Sequence, residues 1–396
     1  MSGRPARTLL LGLALVAFVG LGLPHGVLGV AWPSMRASFD QPLSELGILL
    51  VTYTAGYLGA SAASGPLTAR VGTGRLLTAA TALAAVSALG WAMAPWWGAV
   101  LVASVPLGMA GGLLDSGLNA HVALRHGARI LNLLHGGYGI GATAGPVVVT
   151  SLLAAAASWR IAYLVLVALE AALALAFWRT RSSWSDDRDG GPAAGGDRTE
   201  EHCAAAGMLP LSVALFFVYT GLEVAVGQWS FSLLTEGRSL SATAGGLWVA
   251  SYWAGLTAGR LGLGALGARV PRHLALDLSM AGAVVGTALL WLDPGGLGPA
   301  GLPVTGLSLA TIFPTLVSLT PDRLGAGRTP VAVGFQLASA GLGAALVPGL
   351  AGGLIGRFGL DALGPLLVTS AGVMTVVHLA TNRVATHPPS PSAEVP

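Results

Sequence analysis

The chain alternates long apolar stretches with short polar or Pro/Gly-containing breaks. A helix needs roughly 18 to 20 mostly apolar residues to cross about 30 Å of hydrocarbon, and stretches of that length recur throughout. Their spacing predicts helices over 8–30, 43–68, 74–94, 97–120, 131–156 and 160–179, then over 208–233, 241–267, 273–292, 296–319, 329–355 and 361–381. Between the two sets lies Ser-Trp-Ser-Asp-Asp-Arg-Asp-Gly-Gly, too polar to pack in lipid, which reads as a solvated linker. The expected organisation is an all-α membrane protein: a six-helix bundle over 1–180, a cytoplasmic linker over 181–207, a second six-helix bundle over 208–382 and a tail over 383–396. The first stretch follows Arg4 and Arg7 as a signal peptide would. It runs on to about Val30 without a small-residue cleavage pattern, and so reads as the first transmembrane helix.

Composition supports lipid as the main solvent. Of 396 residues, 54% are hydrophobic and 9% charged. The 58 glycines and 23 prolines fit close helix packing in a bilayer, where small residues let backbones approach. A net charge of +3 does not imply nucleic acid, because the basic residues are all arginine and sit singly between apolar spans. Topology accounts for them. With the N-terminus inside, the inner loops and tails carry Arg4, Arg7, Arg70, Arg75, Arg125, Arg129, Arg179, Arg181, Arg188, Arg198, Arg269, Arg272, Arg323, Arg328 and Arg383. The other side has Arg36, Arg160, Arg238 and Arg357, a bias that predicts both termini cytoplasmic in the cell's inner (plasma) membrane. A lone Cys203 leaves no disulfide framework or thiolate metal site.

The halves echo each other. Gly65-Pro-Leu-Thr-Ala-Arg70-Val71 after the second helix is matched by Gly264-Ala-Leu-Gly-Ala-Arg269-Val270 after the eighth. Gly139-Ile-Gly141-Ala with Pro146 is matched by Gly341-Leu-Gly343-Ala with Pro348. Parallel repeats with a site between them near the midplane are how alternating-access transporters are built. Here the sequence resembles the major facilitator superfamily over nearly its whole length. The stretch from Gly65 to Arg75 is similar to that family's loop motif, with Arg70 and Gly72 in place and Ala69 where the motif has aspartate. Within the superfamily, Gly112-Leu-Leu-Asp115-Ser-Gly-Leu-Asn119-Ala, the run from Asn132 through His135 to Gly141, and Ile312-Phe-Pro-Thr315 resemble the fucose-permease-like sugar:proton symporters. The resemblance implies twelve helices in two pseudo-symmetric bundles and gating roles for Arg70, Arg75 and Arg269. Those symporters carry an aspartate in the first helix; this chain has His25 there, and Glu223 is the acid expected to take over.

Ionisable groups at helix centres cost about 2.5–3.5 kcal/mol each on insertion scales, so they face the bundle interior and are functional suspects. Asp115 and Asn119 share one face of the fourth helix at i, i+4. They offer a titratable carboxyl beside a hydroxyl-reading amide, or, in the plainer alternative, an interhelical packing bond. Glu223 follows Tyr219 by one turn and precedes Gln228 and Trp229, a set that suits hydroxyl pairs and sugar ring faces. His25 is expected to relay protons alongside Asp115 and Glu223. His135, Tyr138, Tyr252 and Gln336 complete the expected pocket. Tyr53 with Tyr57, and Trp248 with Tyr252, form i, i+4 aromatic stripes that in most helices are packing. Arg260 is expected to pair at an inner gate, Asp277 to pair with Arg272 at the membrane boundary, and Glu170 has no evident partner.

The sequence holds no H-E-x-x-H zinc pattern, phosphate-binding loop or nucleophile elbow, and no cofactor is implied. The expected function is secondary active transport by alternating access, with a small polar solute, most simply a sugar, moving together with protons. The rivals are a proton-coupled efflux antiporter for drugs or metabolites and a transport-dead receptor. The partners expected are solute, protons and lipid.

Overall fold

The computed structural model describes residues 3–184, 207–266 and 271–386. Most of the expected linker, with Cys203, and Arg269 and the tail beyond residue 386 lie outside the described residues.

Every regular element among the described residues is helical. Eleven segments are long and apolar enough to span a membrane: α1 (Thr8–Ser38), α2 (Glu45–Val71), α3 (Thr73–Met93), α4 (Trp97–Ala123), α5 (Leu133–Ala154), α6 (Trp159–Trp184), α7 (Met208–Gly237), α9 (Arg272–Leu292), α10 (Gly298–Leu324), α11 (Val331–Phe358) and α12 (Leu360–Val384). The remaining one, α8 (Ala242–Leu266), has its apolarity diluted by Ser251, Thr257, Arg260 and the polar-tipped rings Trp248, Tyr252 and Trp253. Its Gly255 and Gly259 pack on α10, and its Thr257 on Gly139 of α5.

Two boundaries differ from the sequence expectation. The first helix continues to Ser38 rather than ending near residue 30, because Pro33, Ser34 and Arg36 lower the hydropathy without breaking the backbone hydrogen bonds beyond them. Between α4 and α5, where a break was expected, helical backbone runs from Trp97 to Ala154. The spans nevertheless turn back beside one another, since Gly111 of α4 packs on Leu21 of α1 while Tyr138 of α5 packs on the adjacent Gly22. In α10, regular helix stops at Leu309 and resumes at Ile312. Pro314 has no N–H for the Ala310 carbonyl, which accounts for the interruption.

Two of the closest helix crossings recur in both halves. A Cβ on Gly141 of α5 would lie 2.0 Å from the Val19 carbonyl oxygen of α1, and one on Gly343 of α11 would lie 2.0 Å from the Phe217 carbonyl oxygen of α7. Likewise a Cβ on Gly108 of α4 would meet the Tyr53 carbonyl oxygen of α2 at 1.9 Å, and one on Gly306 of α10 would meet that of Tyr252 in α8 at 2.1 Å. These are helix crossings that only glycine permits. Gly141→Ala and Gly343→Ala are therefore each expected to destabilise the protein by about 1–3 kcal/mol or more, as overpacking against unyielding backbone does. Gly59→Ala, at a site with nothing within 4 Å, is the neutral control. Equal thermal midpoints for Gly59→Ala and Gly141→Ala in detergent would overturn the close approach.

The core is shared at one end and divided at the other. A large apolar cluster draws on both halves at the end bearing Arg36, including Trp32, Leu46, Trp229, Trp253 and Ala351, and continues through the second half to Leu276 and Leu316. At the opposite end the clusters separate. One holds Phe18, Leu77, Phe177 and Trp184 of the first half, and the other Met208, Leu324 and Ala332 of the second.

Candidate functional site

Glu223 stands near the middle of α7, 8% exposed. Helical spacing puts Tyr219 one turn earlier on the same face, and its O–H donates to the Glu223 carboxylate. Arg260 of α8 closes the group, with Nη2 3.2 Å from Glu223 Oε2 and 3.3 Å from Oε1. The Tyr252 O–H donates to the Glu223 backbone carbonyl at 2.8 Å. Glu223, Tyr219, Tyr252 and Arg260 thus form one unit within the second half. Arg260 pairs inside its own bundle rather than across the two.

The first half offers a second acid. Asp115 of α4 accepts from the Tyr57 O–H at 2.5 Å and from Asn119 Nδ2 at 2.8 Å. Side chains of α1 and α5 stand between the two acids. His25 sets its ring edge-on to Tyr53 at 5.8 Å and tilted to Tyr138 at 5.5 Å, with Nδ1 3.2 Å from the Leu21 carbonyl oxygen. His135 is edge-on to Phe18 at 5.5 Å. Electrostatically, His25 feels both Glu223 and Asp115, His135 feels Asp115 and Arg260, and Tyr138 feels Glu223, Arg260 and Asp115. One group of interacting side chains therefore spans the boundary between the halves.

Its charges do not balance. Glu223 has Arg260 as its ion-pair partner, whereas Asp115 has the Tyr57 hydroxyl and the Asn119 amide and no ion pair among the described residues, in surroundings where an unpaired charge is costly. Neutrality of the cluster calls for one more positive charge, on either histidine, on a carboxyl, or from a cation.

The other expected site residues divide between the cluster's border and more distant positions. Gln228 is buried and its Nε2 donates across the halves to the His25 carbonyl at 2.9 Å. Trp229 is fully buried, its indole N–H donating to the Pro348 carbonyl at 3.1 Å. Gln336 sits inside the second half and donates to Ser212 at 2.6 Å and to Thr320 at 3.1 Å, away from Glu223. Arg70 and Arg75 are exposed, in the last turn of α2 and the first turn of α3. Asp277 bonds His378 of α12 at 2.8 Å, not Arg272, which instead pairs with Asp322 at 3.2 Å. The expected boundary pair is thus corrected, because Arg272 and Asp277 are five residues apart on α9 and so point to different faces of it, one toward α10 and the other toward α12. Sequence reasoning missed Tyr57 as a partner of Asp115, having placed it in a packing stripe. A signal was available, since a buried carboxyl needs a donor and the stripe carries hydroxyls.

The end bearing Arg36 is shut. Arg36 of α1 and Glu236 of α7 form an ion pair at 2.5 Å across the halves. Cβ atoms on Gly47 of α2 and Gly246 of α8 would touch Gly349 of α11 and Thr150 of α5. Toward the other end, Gly59 and Gly65 of α2 and Gly334 of α11 face open space.

Comparison with known proteins bears on this arrangement. Residues 10–292 match the family model described as Major Facilitator Superfamily. The chain is 26% identical over 276 residues to bypass of stop codon protein 6 of Saccharomyces cerevisiae, and 27% identical over 392 residues to sodium-dependent glucose transporter 1 of Danio rerio. These matches cover 63% and 88% of this chain, and it spans 55% and 65% of the lengths of those relatives. Among solved structures, it superposes on the nucleoside transporter NupG with a TM-score of 0.73 at 14% identity, covering 94% of this chain and 99% of that one. The D-xylose-proton symporter gives 0.72 at 14%, covering 93% and 97%. The E. coli fucose:proton symporter gives 0.61 at 16%, covering 94% and 98%. With over two thirds of its length matched by the family model and its two helical halves arranged as in these structures, the chain belongs to the Major Facilitator Superfamily.

Proposed function

We propose that this protein is a secondary active transporter that works by alternating access and moves a small polyhydroxylated solute, most simply a sugar, together with protons. The observation that carries the reading is the uncompensated charge of the central cluster, in which Glu223 is paired with Arg260 while Asp115 enters no ion pair among the described residues. A cluster one positive charge short of neutral is a place where a proton binds and leaves. Two acceptors support a hydroxylated solute. Asn119 Oδ1 and Gln228 Oε1 are buried without a hydrogen-bond partner, and a solute O–H is the donor each lacks. The zebrafish relative is named for glucose and two structural neighbours for sugars, in line with this reading.

In this reading the two bundles, 1–180 and 208–382, rock about the central site, the 181–207 linker and both termini are cytoplasmic, and the membrane is the cell's inner one. The end sealed by Arg36 and Glu236 is then the outer one, and the structure is a state open to the inside. Proteoliposomes under an inward proton gradient, offered a panel of labelled sugars, nucleosides and lipophilic cations, test the proposal. Accumulation of one sugar is expected. Exchange of a lipophilic cation for protons with no sugar moved would establish efflux instead, and accumulation driven by a sodium gradient alone would replace the proton.

The outer seal gives a further prediction. Both partners are about a quarter exposed, so the pair contributes no more than about 1 kcal/mol. Glu236→Ala should therefore raise the outward-open population by up to about fivefold, read as faster labelling of Ser44→Cys by an impermeant thiol reagent in a Cys203→Ala background. Ser44 is suited to this because its side chain packs on Gly356 at the closed end. An unchanged labelling rate would show that the ion pair plays no part in the seal.

A further inference from the structure

One carboxyl is left over by the central cluster. Glu170 of α6 is 5% exposed, its Oε2 is sealed without a hydrogen-bond partner, and it enters no ion pair among the described residues. It lines a small cavity of about 30 Å³ bounded by α1, α2, α3, α4 and α6, with Gly20, Pro24, Tyr53, Ala84 and Gly111 in the wall. At roughly 10–15 Å³ per water, that is room for about two.

Three polar groups meet there. The first is the carboxyl itself. The second is the Tyr53 hydroxyl, which lies 2.8 Å from where a Gly111 Cβ would stand. The third is the Gly20 carbonyl, left without its helical donor because Pro24, four residues on, has no N–H. Gly20 also makes the space, since a Cβ there would lie 2.9 Å from Glu170 Oε1. The titratable groups around the carboxyl are Tyr53 in the wall, His25 edge-on to Tyr53, and Asp115, which follows wall residue Leu114. Tyr163 lies two turns back on α6. No arginine lines the cavity. A carboxylate buried without a counter-charge is costly, and a carboxyl beside room for one or two waters is where an acid exchanges its proton.

We propose that Glu170, with the Tyr53 hydroxyl and the freed Gly20 carbonyl, forms a second proton-binding site, a neutral carboxylic acid held with one or two waters inside the first bundle and distinct from Asp115 and Glu223. Loading moves one proton from hydronium to a carboxylate oxygen and leaves water; release is the reverse. The site stands independently of which solute the protein carries.

The test needs no solute. Infrared spectra of the full chain in lipid nanodiscs resolve the carbonyl stretch of a neutral carboxylic acid from the absorption of carboxylates. The Asp115→Asn/Glu223→Gln variant is expected to keep one such band at neutral pH, and adding Glu170→Gln to abolish it. Gly20→Ala, which crowds the acid without removing it, should shift the band. Should the double variant not fold, Glu170→Gln alone is expected to remove one carboxylic acid component from the wild-type spectrum. A band that survives Glu170→Gln, or no band at neutral pH in the double variant, overturns the proposal. Loss of the band when sodium chloride replaces choline chloride at constant pH overturns it in favour of a metal-cation site. Because transport enters none of these readouts, failure of the transport reading leaves the result interpretable.

Discussion

Asp115→Asn is expected to abolish gradient-driven accumulation while leaving solute exchange at equal pH within a few fold of wild type. Asparagine keeps the shape of the side chain and an oxygen for the Tyr57 hydroxyl, 2.5 Å away, but binds no proton near neutral pH. A pH difference of two units stores about 2.7 kcal/mol per proton. With one proton per solute that sustains about 100-fold accumulation, since 1.4 kcal/mol is tenfold. A carrier that has lost coupling equalises the two sides, so the variant should settle at a ratio near one. Exchange needs no net proton movement and reports whether the variant still binds and turns over. Hundredfold accumulation by Asp115→Asn would remove Asp115 from the coupling scheme. If Glu223→Gln then failed to accumulate, the role would pass to the other acid.

The second large effect concerns stability. Arg260→Ala strands Glu223, whose side chain is 10% exposed and whose ionic partner is that guanidinium at 3.2 Å. Removing one member of a buried pair costs about 3–5 kcal/mol, and the lower end applies because the Arg260 side chain is itself 18% exposed. Glu223→Gln on top of Arg260→Ala removes the stranded charge and should restore most of the loss. Thermal unfolding of the two single variants and the double variant in the same detergent decides it. Equal destabilisation by Arg260→Ala with and without Glu223→Gln would mean that the pair contributes nothing.

The spans were legible because hydrocarbon imposes length and apolarity on each helix, and the repeat because both halves keep glycine at the same crossings, Gly141 with Gly343 among them. α8 was found from sequence although its composition is the least apolar, since charged and Pro/Gly breaks still bound it. The helical ends were harder. Apolarity marks where lipid begins, whereas helix propensity continues past Arg36 on one side and through the turn between α4 and α5 on the other. In the site, pairs within one helix could be read from spacing, as with Asp115 and Asn119. Partners from different helices could not, because a one-dimensional pattern carries no rotation of one helix against another. Tyr57 reaching Asp115, His378 reaching Asp277 and Gln336 turning to Ser212 are all of that second kind.

Glycine recurs on the surfaces where the halves meet. Gly47 and Gly349, Gly139 and Thr257, Gly246 and Thr150, and Gly341 and Leu58 touch across the divide, with Arg36 and Glu236 the one ion pair across it among the described residues. Interdigitated large side chains would have to climb over one another as the bundles rock, each passage adding to an activation barrier. A glycine facing backbone or a single side chain offers no knob to be climbed and lets the joint slide like a plain bearing. The cost of changing sides is then set by water and lipid at the rims more than by the joint, so turnover should follow bilayer composition more closely than any single substitution in the contact surface.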